Sequence, residues 1–152
     1  MNIYKIVFMG TPDFGIPSLN ELYKQGYEVE AVYTQPDRVN KRGNKVQFSA
    51  VKQFALEHDI TIYQPNSLKD EKELDVLRAL NPDLIIVIAY GKILPQAVLD
   101  IPKYGVINVH ASLLPKYRGA APVQRSIIDG EETTGVTIMQ LDAGMDTGNI
   151  IA

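Results

Sequence analysis

The first residues that could do chemistry are Asn108 and His110, separated by Val109. If Val106–His110 is a strand, positions two apart point to the same face, so Asn108 and His110 project together. Asn supplies both a donor and an acceptor, and His exchanges protons near neutral pH. Near the carboxyl end of a strand, such a pair sits where open α/β sheets bind ligands. Taken alone, it also suits a purely structural hydrogen bond to a neighbouring loop. After it comes a shaped loop, Ser112-Leu113-Leu114-Pro115-Lys116-Tyr117-Arg118-Gly119-Ala120-Ala121-Pro122. Further on, Asp142-Ala143-Gly144-Met145-Asp146-Thr147-Gly148 is a glycine-punctuated turn that could bring a carboxylate to His110. Such a carboxylate would fix the imidazole tautomer and raise its pKa. Spacing does not choose between Asp142 and Asp146.

A second turn, Gly10-Thr11-Pro12-Asp13-Phe14-Gly15, invites two nucleotide-binding readings that both fail. A dinucleotide fingerprint needs glycine where Pro12 stands, and Pro12 blocks close backbone approach. The Gly10-to-Gly15 spacing imitates a phosphate loop, but Ile16-Pro17 replaces the required Lys-Ser/Thr pair. A tight strand-to-helix turn is the better description.

The elements that must position these residues follow from alternating patterns. Tyr4–Met9, Glu28–Thr34, Ile60–Tyr63, Leu84–Ala89, Val106–His110 and Gly135–Gln140 carry strand-like runs, and a last one starts at Asn149. Helices are expected after Pro17, ending at Gly26, and from Ser49 as N-cap to about His58. Others should cover Asp70–Leu80, start at Pro95 and stop before Pro102, and follow Pro122 to about Asp129. Leu84–Ala89 is apolar on both faces, as a central parallel strand covered on both sides would be. Residues 35–48 have no periodicity and read as a long loop. Strands separated by helices imply an α/β fold, a Rossmann-like, mostly parallel sheet flanked by helices.

Composition narrows the classes. A chain of 152 residues is about one domain, long enough to bury a core without staples. It has no Cys, which removes disulfides, thiolate metal sites and cysteine nucleophiles, and fits a reducing cytoplasm. Its two His, His58 and His110, lie far apart, so no metal site is expected. No apolar run spans a bilayer and the first residues are not a signal peptide, so a cytoplasmic protein without membrane contact is expected. The net charge is −3, yet residues 35–52 hold Arg38, Lys41, Arg42, Lys45 and Lys52 against Asp37 alone.

Asn108-x-His110-x-Ser112-Leu113-Leu114-Pro115, then Arg118-Gly119 and Asp146, resembles the signature of the folate-dependent formyltransferases. Within that family the fit is best to the branch whose acceptor is methionyl-tRNA. Supporting segments are Phe8-Met9-Gly10-Thr11-Pro12-Asp13-Phe14, Gln35-Pro36-Asp37-Arg38, Ala89-Tyr90-Gly91, Gly119–Arg125 and Gly135–Met139. The resemblance covers essentially the whole chain and half of the family's usual length. Residues 1–152 would then be a truncated N-terminal catalytic domain, lacking the family's C-terminal β-barrel.

The resemblance implies transfer of the formyl group of 10-formyltetrahydrofolate to the methionine amino group of initiator methionyl-tRNA, with no metal. It implies Asn108 and His110 at the oxyanion, with Asp146 as the carboxylate that orients His110. Folate would contact Ile88, Tyr90 and Gly91, Ser112, Leu113, Leu114 and Pro115, and Asp142. Arg38, Lys41, Arg42 and Lys45 would approach the tRNA acceptor stem, Arg42 foremost. A monomer is expected. Other acceptors (a glycinamide ribonucleotide or an amino-sugar nucleotide), an inactive folate-binding fragment and a Rossmann oxidoreductase are the competing readings.

Overall fold

The computed structural model describes residues 4–39, 43, 45–110 and 137–141. Strand β1, Lys5–Gly10, is buried from Ile6 onward. A short 3-10 turn over Asp13–Gly15 leads into helix α1, Ile16–Lys24, with proline in its first turn. Strand β2 is Glu28–Tyr33. The segment expected to be an unpatterned loop instead holds a two-stranded antiparallel ribbon, β3 (Arg38–Val39) against β4 (Val46–Gln47). Two residues per strand are too short for a period-two pattern to register in sequence.

Helix α2, Ala50–Glu57, starts where expected: the Ser49 side chain accepts from the Lys52 N–H at 3.0 Å. That bond satisfies one of the donors that a helix N-terminus leaves without a partner. Strand β5 is Thr61–Tyr63. Helix α3, Glu71–Leu80, is capped by Asp70 and carries Glu71 and Glu73 in its first turn, where the helix dipole favours negative charge. Strand β6 is Leu84–Ile88, helix α4 is Gln96–Leu99 behind Pro95, and strand β7 is Val106–His110. Strand β8 is Thr137–Gln140.

Six strands form one sheet in the order β5-β2-β1-β6-β7-β8. All neighbours are parallel except β7 and β8. β6 lies between β1 and β7, the central position its two-faced apolar sequence demands. Each sheet face has its own core. On one, Phe8, Val32 and Ile88 pack with Leu19 of α1 and Val51, Phe54 and Ala55 of α2. On the other, Val7, Met9, Tyr33, Ile85, Val87 and Val106 pack with Leu74 and Leu77 of α3 and Val98 and Leu99 of α4. The result is three layers, with each buried Val, Leu, Ile or Phe contributing about 1.5–3 kcal/mol.

The chain runs from β1 to β2 and out to β5 on one side, then returns to β6 on the other side of β1. The order therefore reverses between β1 and β6. Crevices at such reversals, outside the carboxyl ends of the strands, are where open α/β sheets take ligands.

Candidate active site

The carboxyl end of β1 meets that of β6 very closely. Gly10 pairs with Ile88, and a Cβ on Gly10 would sit 2.7 Å from the Ile88 carbonyl oxygen. Thr11, next along, donates from Oγ1 to the Tyr90 carbonyl at 2.9 Å. The crevice floor is thus sewn shut by main chain and one hydroxyl, with Pro12 exposed beyond it.

One register row crosses the sheet through Tyr63, Tyr33, Met9, Val87, Asn108 and Met139. Val106 packs in the core under α3 and α4 and Val109 packs toward α1 and α2. Alternation therefore puts Asn108 on the α3/α4 face, one step toward the carboxyl edge from Val106. It is only 8% exposed, and with Thr34 it forms the buried polar group of the described residues. It is a carboxamide set between Val87 and Met139 in that row, where burial requires its polar atoms to be hydrogen-bonded. His110 ends β7, and its main chain pairs with Thr137 of β8.

The expected folate contacts divide. Ile88 and Tyr90 are each about 1% exposed, so their side chains belong to the two cores, and the Tyr90 carbonyl already accepts from Thr11 and Gln35. Ala89 and Gly91 are exposed and both hold a positive φ, +51° and +87°. Ile93 beyond them is 75% exposed. Ser112, Leu113, Leu114, Pro115, Asp142 and Asp146 lie outside the described residues, as do Lys41 and Arg42. Of the basic residues, Arg38 sits in β3 and Lys45 precedes β4, both exposed on the ribbon. Val39 and Val46, paired across it, are exposed too.

Sequence reasoning assigned no role to the polar net that joins the ribbon to the strand ends. Lys52 Nζ reaches Asp37 at 2.8 Å and Gln64 Oε1 at 3.0 Å, and lies 3.9 Å from the Phe48 ring centre. Gln64 donates to Asp37 at 2.7 Å and to the Gln35 carbonyl at 3.2 Å. The bond from Lys52, then that from Gln64, holds the Asp37 carboxyl below its ordinary range. Thr34 and Ser49 share a hydroxyl–hydroxyl bond of 2.6 Å. The only advance signal was the segment Gln35-Pro36-Asp37-Arg38, whose partners are 15 to 56 residues away.

Beneath the turn after β6, Tyr33 and Tyr90 are buried with no hydrogen bond to either hydroxyl. Burial pushes both phenols well above their usual range. Among the described residues no group of three or more His, Cys, Asp or Glu could hold a metal, and no helix is long and apolar enough to cross a membrane.

A sequence model of the family described as formyl transferase matches residues 4–152. The chain belongs to that family. Its relatives include methionyl-tRNA formyltransferases from Clostridium perfringens (60% identical over 148 residues) and Hydrogenovibrio crunogenus (58% over 147). A third, from Caldanaerobacter subterraneus subsp. tengcongensis, is 56% identical over 148 residues. Each match takes in 97% of this chain and 47–48% of the relative, so the chain spans about half the length of the curated relatives it matches.

Among solved structures, a phosphoribosylglycinamide formyltransferase from Bacillus halodurans superposes with a TM-score of 0.77 at 24% identity, over 97% of this chain and 77% of that one. A formyltetrahydrofolate deformylase from Pseudomonas syringae pv. tomato gives 0.75 at 21% identity, over 99% and 50%. At these identities the likeness establishes the fold.

Proposed function

We propose that this chain carries the donor site and reacting centre of an enzyme that moves the formyl group of 10-formyltetrahydrofolate onto the amino group of methionine on initiator methionyl-tRNA. The observation that carries the reading is kinship: relatives bearing that name match 97% of the chain at 56–60% identity. The fold supports it by putting Asn108 and the end of β7 beside the crevice between β1 and β6.

The chemistry asked of the residues is modest. The methionine amine attacks the formyl carbon, a C–N bond forms, and the carbonyl oxygen becomes an oxyanion. Collapse breaks the bond to N10 of the folate, and the proton lost by the amine ends on N10. The Asn108 carboxamide N–H and His110 would donate to the oxyanion, each such donor being worth about 3–4 kcal/mol in the transition state. His110 would also carry the proton, with Asp146 holding its tautomer. No side chain becomes acylated, in keeping with a chain without cysteine.

The folate fits the turn after β6. Exposed main chain at Ala89 and Gly91 can match the hydrogen-bonding edge of a pterin, and Ile93 offers apolar cover. Ser112–Pro115 and Asp142 would complete that site. The acceptor stem would lie along the ribbon, where Arg38, Lys41, Arg42 and Lys45 neutralise phosphates. The protein would act as a monomer in the cytoplasm.

The test is a formyl-transfer assay on methionyl-tRNA with the chain extended to the relatives' length. His110→Ala and Asp146→Ala should each abolish transfer while thermal melting stays native, and Arg42→Ala should raise KM for tRNA much more than for folate. Transfer to a glycinamide ribonucleotide instead, or turnover at the unmodified rate in either of the first two variants, would overturn the reading.

A further inference from the structure

Gln35 leaves the carboxyl end of β2 and reaches across the end of β1 to the turn that follows β6. Its Nε2 donates to the Gly91 carbonyl at 2.9 Å and to the Tyr90 carbonyl at 3.3 Å. Its backbone N–H donates to Thr11 Oγ1 at 3.3 Å, and Thr11 in turn donates to the same Tyr90 carbonyl. One carboxamide therefore uses both of its protons on consecutive carbonyls of a single turn.

That turn is held in an uncommon shape. Ala89 sits in the left-handed region at φ +51°, which costs a non-glycine residue about 1–2 kcal/mol, and Gly91 sits at +87°. Such conformations persist when their surroundings over-determine them. Gln35 supplies that constraint at close quarters: a Cβ on Gly91 would lie 2.8 Å from Gln35 Nε2. The glycine and the glutamine are fitted to each other.

On its other side Gln35 is continuous with the basic ribbon. Pro36 has a fixed φ. Asp37 is pinned by Lys52 and Gln64, and Arg38 opens β3. Gln64 also donates to the Gln35 carbonyl, so the link is braced on both sides. Three residues therefore connect the ribbon to the side chain that holds the turn at 89–91.

We propose that Gln35 is a positioning residue that sets the 89–91 turn for the formyl donor and couples that turn to the ribbon, so that donor and RNA acceptor each bind more tightly when the other is present. The inference rests on the formyl-transfer reading above. Coupling of this kind is reciprocal: the factor by which RNA tightens the donor equals the factor by which the donor tightens RNA.

Gln35→Glu is the sharpest perturbation. It keeps the side chain's size but puts a carboxylate oxygen against two carbonyls, with no proton to donate. In the full-length enzyme, KM for 10-formyltetrahydrofolate should rise about tenfold, the net effect of losing one hydrogen bond, with a smaller change in kcat. The affinity for methionyl-tRNA, measured with and without the folate, should lose its dependence on the folate.

A double-mutant cycle covers the case in which Gln35→Glu does not fold. Gly91→Ala should raise donor KM less in a Gln35→Ala background than alone, because the clash at 2.8 Å is then gone. Additive effects in the cycle, or unchanged donor KM and unchanged coupling in Gln35→Glu, overturn the inference alone. Absence of formyltetrahydrofolate binding by the unmodified enzyme removes the functional reading itself.

Discussion

Gly10→Ala tests how closely the strand ends meet at the site. The added Cβ would fall 2.7 Å from the Ile88 carbonyl oxygen and 2.8 Å from Phe8 Cε1. Ordinary contact begins at 3.4 Å, so the neighbours must retreat by about 0.7 Å. Neither can do so freely. Phe8 is fully buried among Leu19, Val32 and Val51, and Ile88 lies in the ladder between β1 and β6. Forcing extra volume into such a contact costs about 1–3 kcal/mol. For a chain of this size that is roughly 2 to 12 °C in Tm. The strain is also directed, because moving the Ile88 carbonyl tilts the turn at Ala89–Gly91. Donor KM should therefore rise along with the loss of stability. Urea titration gives the first quantity and steady-state kinetics at saturating tRNA gives the second. An unchanged urea midpoint would refute the close approach of β1 and β6. A lower midpoint with unchanged donor KM would refute the assignment of the donor to the turn after β6.

Asn108→Ala should lower kcat by about 10²–10³ with little change in either KM, as loss of one oxyanion donor does; equal effects on KM and kcat/KM with kcat intact would mark Asn108 as a ground-state contact instead. Neutralising Arg38 or Lys45 should reduce the salt dependence of tRNA binding by about 0.7–0.9 per charge, whereas Lys52→Ala should not, since Lys52 is already paired with Asp37; equal slopes for all three would refute the distinction. Tyr33→Phe and Tyr90→Phe should each be neutral or stabilising in urea titrations, because each hydroxyl is buried without a partner; a loss above about 1 kcal/mol would mean a hydrogen bond exists. The same two phenols have folded pKa values raised by burial, so their contribution is complete below the unfolded value near 10 and is lost as pH climbs beyond it. Spectrophotometric titration should find two tyrosines that ionise only on unfolding; ionisation of all eight in the native protein near pH 10 would refute it.

The parts of the fold legible in the sequence are those set by local rules. Leu84–Ile88 shows its central place by being apolar on both faces, Ser49 announces α2 through a bond three residues ahead, and Pro95 opens α4. Asn108 was legible for the same reason, since its face follows from a two-residue period. Gln35, Gln64 and Lys52 were not, because their side chains act on partners that only the crossing of β1, β2, β5 and β6 brings near. The inward turn of Tyr90 was equally hidden. Its neighbours Ala89 and Gly91 take positive φ values, and that breaks the alternation which would otherwise assign faces.

The two glycine-like positions of the site therefore have opposite origins. Gly10 is small because β1 and β6 converge on it and the Phe8 ring packs beside it. Gly91 is a glycine because its φ is +87°, and a Cβ there would in addition meet one particular carboxamide from beyond β2. A nucleotide-binding fold spends the glycines of its first turn on phosphate, with the backbone open to the ligand. Here Pro12 removes that use, and Thr11 spends its hydroxyl on the Tyr90 carbonyl instead. On the proposed reading, the donor would then lie at the ends of β6 and β7 rather than at the end of β1. Asn108 stands in the register row that carries Met9 and Val87, next to the strand ends where the proposed donor would lie.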